Sequence, residues 1–119
     1  MNTAFQQTWE QYTSAWKMTD RAERLAVFAE ALAADAVYTD PLVQTASWDE
    51  LISYMENFQQ QLPGAHFVTR YFLAHHQKSI AHWDMQTHEG LTIGGGSSYA
   101  EYDQRGKLIS MNGFFENNS

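Results

Sequence analysis

A chain of 119 residues with 44% hydrophobic and 14% aromatic content suits one domain, residues 1–119, that buries about two-thirds of the surface its unfolded form would expose. A formal charge of −7 with only seven Lys and Arg, scattered along the chain, excludes the basic footprint of a nucleic-acid binder. With no cysteine there is neither a disulfide framework nor a thiolate metal site. The start, Met1 to Gln7, lacks the basic residues and apolar run of a signal peptide, and no apolar stretch approaches membrane-spanning length, so the expectation is a soluble, cytoplasmic protein with no membrane partner.

Phe5, Trp9, Tyr12 and Trp16 fall at spacings of four, three and four, which predicts a helix from about Thr3 to Lys17 with one aromatic stripe. Asp20 with Glu23 is a capping-box pattern, and Leu25, Phe28 and Leu32 continue a second helix to about Ala34. Val37-Tyr38-Thr39 has β-branched and aromatic character, and Asp40-Pro41 ends it, giving a short strand. Ser47 and Glu50 repeat the capping-box spacing, and Leu51, Met55, Phe58 and Leu62 carry a third helix to Pro63-Gly64.

From His66 to Glu116 four strand-like runs follow one another. Apolar residues recur at every second position (Phe67, Tyr71, Leu73; Ala81, Trp83, Met85; Ile109, Met111, Phe115), the period of a pleated strand with one buried face. The breaks are placed at Gln77-Lys78-Ser79, Thr87 to Gly90 and Asp103 to Gly106, so the reading is an antiparallel meander. Gly94-Gly95-Gly96 marks a bulge or bend, where the sheet curves or another group approaches closely. The fold class is α+β: three N-terminal helices packed on a curved, mostly antiparallel sheet, with a pocket between them.

Several stretches, in this order and spacing, resemble one family: Leu32 to Pro41, the helix after Ser47, Trp83 followed by Gly90 and Gly94 to Gly96, and Asp103 to Ile109 leading to Gly113-Phe114-Phe115. The chain is similar over nearly its whole length to the NTF2-like superfamily, in particular its SnoaL-like polyketide cyclase and ketosteroid isomerase branch. The resemblance implies an NTF2-like (cystatin-like) cone, an apolar pocket between sheet and helices, and a homodimer formed through the outer sheet face. It also implies a small apolar or polyketide-like carbonyl ligand and chemistry without a cofactor. In ketosteroid isomerases the aspartate of the matching Asp-Pro pair moves a proton between carbons, which makes Asp40 the candidate acid/base residue. Loss of hydration at the mouth of an apolar cavity favours a carboxylate's neutral form and makes it a better base. The family's two oxyanion donors, a tyrosine and a protonated aspartic acid, fall near Trp16 and on Ser98. An indole and a hydroxyl stand there instead, so steroid isomerisation with that machinery is not expected.

The helix stripes and the face of the last strand together give Trp16, Tyr54, Met55, Trp83, Ser98, Met111 and Phe115 as ligand-binding candidates. Aromatics of this size with few polar groups suit a flat apolar ligand. Neighbours on a strand alternate, so one of His75 and His76 should point toward the helices; His76 joins the candidates. His82, Asp84 and His88 show no spacing of three convergent metal ligands, and no metal is expected. Neither a phosphate loop nor a Gly-x-Ser-x-Gly elbow is present. Two readings remain open. One is an isomerase- or cyclase-like enzyme using Asp40; the other is a non-catalytic ligand-binding or dimerisation module, with Asp40 only accepting backbone hydrogen bonds in its turn.

Overall fold

Both N-caps form at the residues their spacing marks. Asp20 accepts from the Glu23 N–H at 3.1 Å and Ser47 from the Glu50 N–H at 3.2 Å, which fixes the starts of α2 (Arg21–Ala31) and α3 (Trp48–Gln61). The computed structural model describes residues 3–116; residues 1–2 and 117–119 of the expected domain, including the first two of the amino-terminal stretch, lie outside the described residues. Helix α1 runs Thr3–Ser14 and ends before the expected Lys17. Beyond Ser14 the chain tightens into turns in which the N–H of Ala15, Trp16 and Lys17 each bond three residues back. Buried side chains take the carbonyls left over there. Arg24 of α2 donates to Ala15 O at 3.0 Å and to Met18 O, and Gln59 of α3 donates to Trp16 O at 2.7 Å. Three helices are thereby tied at the point from which Trp16 projects.

Helix α2 stops at Ala31 rather than Ala34, because Leu32 pairs with Leu108 and enters the sheet. The first strand is therefore long, β1 (Leu32–Asp40) instead of Val37 to Thr39 alone, and a two-residue β2 (Val43–Gln44) folds back on it after the Asp40-Pro41 turn. The remaining strands are β3 (His66–His75), β4 (Lys78–Gln86), β5 (Thr92–Tyr102) and β6 (Leu108–Phe114). They form one six-stranded sheet in the order β2-β1-β6-β5-β4-β3. The meander of β3 to β6 is antiparallel, and β6 closes on β1 in parallel. This is the α+β arrangement the sequence implies.

Three details of the meander depart from the alternation. The first hairpin turns on His76-Gln77, both with positive φ (48° and 62°), while Lys78 and Ser79 already belong to β4; this is the two-residue turn whose twist suits a hairpin. The β3–β4 register shifts between Thr69 and Tyr71, inserting one residue and inverting the phase. Phe67 therefore faces the helices, packed on Trp16, Phe58 and Trp83, whereas Tyr71 lies outside, stacked on His82. A second shift, between Glu101 and Tyr102, leaves Ile109 unpaired and turns Leu108 together with Met111 into the core.

The core lies between the helices and the sheet's inner face, around Tyr12, Phe28, Leu32, Leu51, Ile52, Met55, Leu108 and Met111. Among the described residues no helix is long and apolar enough to cross a membrane.

Candidate functional site

Toward one end of the sheet the core opens into a cavity of about 760 Å³, within the range of small-molecule sites. Trp9, Tyr12 and Trp16 reach it from α1 and its end, Tyr54 and Phe58 from α3, Tyr38 and Asp40 from β1, and Phe67, Trp83 and Ser98 from the meander. Phe115 closes one side, and the exposed Leu42, Leu62 and Ile93 ring the mouth.

Among the described residues two carboxylates line this aromatic cavity, Asp40 and Glu116 near the end of the described chain. The position of Asp40 follows from local chemistry. Pro41 stops β1, and the turn it starts sends the N–H groups of Leu42 and Val43 onto Asp40 Oδ1 at 2.8 and 3.2 Å. The other oxygen, Oδ2, accepts the hydroxyls of Tyr38 at 2.6 Å and Tyr54 at 2.9 Å. Tyr38 stands two residues before Asp40 on the same strand and so shares its face; Tyr54 comes from the middle of α3. Gly113 of β6 makes room for this group, because a Cβ there would lie 3.3 Å from the Tyr38 hydroxyl and 3.4 Å from Asp40 Cβ.

Burial raises the pKa of both phenols above the ordinary value, and the adjacent Asp40 charge raises them further. Both remain protonated donors at neutral pH.

Two further hydroxyls line the cavity, each backed by an indole. Trp16 Nε1 donates to Tyr12 Oη at 3.1 Å, and Trp83 Nε1 donates to Ser98 Oγ at 3.0 Å. A hydroxyl that accepts one hydrogen bond keeps its own proton to donate, and the donation is strengthened by the bond behind it. Tyr12, like Tyr38, is held above the ordinary phenol range, chiefly by burial. Trp83 reaches its place by lying across Gly96, where a Cβ would stand 2.7 Å from the indole ring. The close approach expected at the glycine run is made by this side chain.

Of the residues singled out from the sequence, Asp40, Trp16, Tyr54, Trp83, Ser98 and Phe115 line the cavity. Met55 and Met111 do not; both are wholly buried in the core, because their stripe and strand positions lie deeper than the cavity. His76 is a correction. It sits exposed at the hairpin tip beside His75, their Nδ1 atoms 3.1 Å apart, since the turn comes before the alternation of β3 could point either ring inward. His82 bonds Ser97 on the outer face. Trp16 lines the cavity as expected, and its N–H is directed to the Tyr12 hydroxyl rather than into the cavity. Tyr12 and Tyr38 were missed as site residues, although the i, i+4 spacing of Tyr12 and Trp16 and the i, i+2 spacing of Tyr38 and Asp40 place each beside its partner. Among the described residues no three His, Asp or Glu gather as a metal's ligands would.

Solved structures share this fold. A SnoaL-like family protein from Agrobacterium tumefaciens, named as a candidate isomerase, matches with a TM-score of 0.86 at 23% identity, over 97% of this chain and 99% of its own. A candidate SnoaL-like polyketide cyclase from a Jannaschia species matches at 0.77 and 10% identity, over 96% and 86% of the two chains. A protein of cystatin-like fold from Methylobium petroleophilum matches at 0.77 and 13% identity, over 100% and 80%. At such identities the likeness is one of fold. No curated protein matches the sequence. Residues 9–111 match the SnoaL-like domain, most of the chain and all of the elements that build the cavity apart from the first turns of α1 and the end of β6, and the protein belongs to the SnoaL-like family.

Proposed function

We infer that the protein takes a small, flat, apolar carbonyl compound into its cavity and moves a proton on it, as an isomerase or polyketide cyclase does, with Asp40 as the acid/base group. The observation that carries this reading is a carboxylate set in an aromatic cavity wall with two phenols on one of its oxygens. Family membership supports it, as do the isomerase and cyclase names given to two relatives. Taking a proton from a carbon beside a carbonyl builds negative charge on the carbonyl oxygen, and that charge needs preorganised donors. The Tyr12 and Ser98 hydroxyls, with Trp16 and Trp83 behind them, are such donors. A proton moved between two atoms of one substrate needs no cofactor.

The test uses β-tetralone, a flat bicyclic ketone, in deuterated water. Asp40→Asn should lower its enzyme-dependent α-proton exchange about a hundredfold or more, the scale of a lost general base. Exchange at the wild-type rate in a folded variant removes the role.

One observation favours the second reading, a non-catalytic ligand-binding module. All four hydrogen bonds of the Asp40 carboxylate come from the protein itself, as a purely structural turn acid would have them. Under either reading, the exposed apolar residues of the outer sheet face, Val37, Tyr71, Leu73, Ile80 and Phe114, are covered by a second copy of the chain.

A further inference from the structure

We propose that Tyr54 is the group that touches the substrate, and that the substrate proton reaches Asp40 through the Tyr54 hydroxyl. The proposal rests on the reading of Asp40 as the acid/base group and changes the route by which it acts.

A carboxylate offers about four lone-pair directions, and the protein fills as many: Leu42 and Val43 N–H on Oδ1, Tyr38 and Tyr54 O–H on Oδ2. No direction is left for a substrate C–H. The phenol oxygens, in contrast, each donate once and keep lone pairs to accept. Tyr38 is 8% exposed, shut in by Trp16 at 5.4 Å between ring centroids. Tyr54 is half-buried and lines the cavity, so its oxygen is the basic surface a ligand meets on the way to Asp40.

The transfer balances without any outside reagent. The C–H bond beside the carbonyl breaks and an O–H bond forms on Tyr54 Oη. The original Tyr54 proton crosses the 2.9 Å hydrogen bond to Asp40 Oδ2. The electron pair stays with the substrate as an enolate facing Tyr12 and Ser98. Reversal at the same or another carbon restores both side chains. Tyr54 never carries a full negative charge, in keeping with the strong bias of its phenol toward the protonated form.

The experiment compares wild type, Asp40→Asn and Tyr54→Phe for α-proton exchange of β-tetralone, with binding read separately from quenching of tryptophan emission. The relay predicts a loss of about a hundredfold or more in both variants, with β-tetralone still binding to Tyr54→Phe as to wild type. If Asp40 acts directly, Tyr54→Phe bares a lone pair on Oδ2, and exchange stays level or rises; that result overturns the relay and spares the parent reading. Exchange by Asp40→Asn at the wild-type rate, or none by wild type above buffer, overturns both. Fluorotyrosine at position 54 keeps the size of the side chain and makes the phenol more acidic. A relay gives a rate that changes with that acidity, and an unchanged rate overturns it even where Tyr54→Phe does not fold.

Discussion

Trp83 reaches the cavity across Gly96, and the sheet has no space there for any side chain. An alanine Cβ would stand 2.5 Å from Phe114 O and 2.7 Å from the indole. Gly96→Ala should therefore destabilise the fold by about 1–3 kcal/mol, the usual scale of an overpacked site, as a lower urea midpoint. It should also move Trp83 off Ser98 and shift the tryptophan emission. A second residue-scale expectation concerns alkali. Tyr102 is buried against Phe5 and bonded to Ser79 at 2.8 Å, and burial pushes its phenol up from the ordinary 10 to about 12. A folded value above the unfolded one means that the native state holds its proton longer. The associated stability is complete below about pH 10 and is lost as pH rises through about 12. Two units correspond to roughly 2–3 kcal/mol. Urea midpoints should fall between about pH 10 and pH 12, and Tyr102→Phe should make that fall shallower. At this scale the sequence was half legible. Asp40 announces itself through Pro41, but a hydrogen-bond direction such as Trp16 to Tyr12 is decided by where α1 ends, and that depends on Arg24 and Gln59 from two other helices.

The helices were readable because periodicity and caps agree, as with the Asp20 and Ser47 boxes. The strands were readable as strands but not in phase. One inserted residue near Arg70 and another at Ile109 invert which side chains face the core, and nothing in an alternating run announces an extra residue. The end of α2 was hidden for a different reason. Leu32-Ala33-Ala34 has good helix propensity, and only pairing with β6, far along the chain, draws it into the sheet. The first hairpin lacked its usual marker. His76 and Gln77 occupy left-handed conformations that asparagine and glycine adopt more readily. His76→Asn with Gln77→Gly should accordingly raise stability by about 1 kcal/mol or more, seen as a higher melting temperature, with the exchange activity unchanged because the tip is remote from the cavity lining.

Over the whole molecule the two faces of the sheet differ. The inner face is roofed by helices, while the outer face leaves Tyr71, Leu73, Ile80 and Phe114 exposed across neighbouring strands. Charges of both signs stand on the same strands, Arg70 with Asp84 at 2.7 Å and Lys78 at the register of Glu101, so a copy related by a two-fold axis can meet its own face without net repulsion. Leu73→Glu with Ile80→Lys should convert a dimer to a monomer in sedimentation velocity and leave the far-ultraviolet circular dichroism unchanged. A monomeric wild type at micromolar concentration would rule out this use of the face.

The parallel contact of β1 with β6 has a consequence for synthesis. Leu108–Phe114 sits between β1 and β5, so it is the keystone of the sheet rather than an edge. A nascent chain that has not yet released this segment from the ribosome holds two unjoined pieces, β1 with its two helices and the β3–β4–β5 ribbon. Both leave a raw strand edge toward the gap. Premature termination before Leu108 should therefore yield sticky, protease-sensitive fragments instead of a slightly shortened native protein.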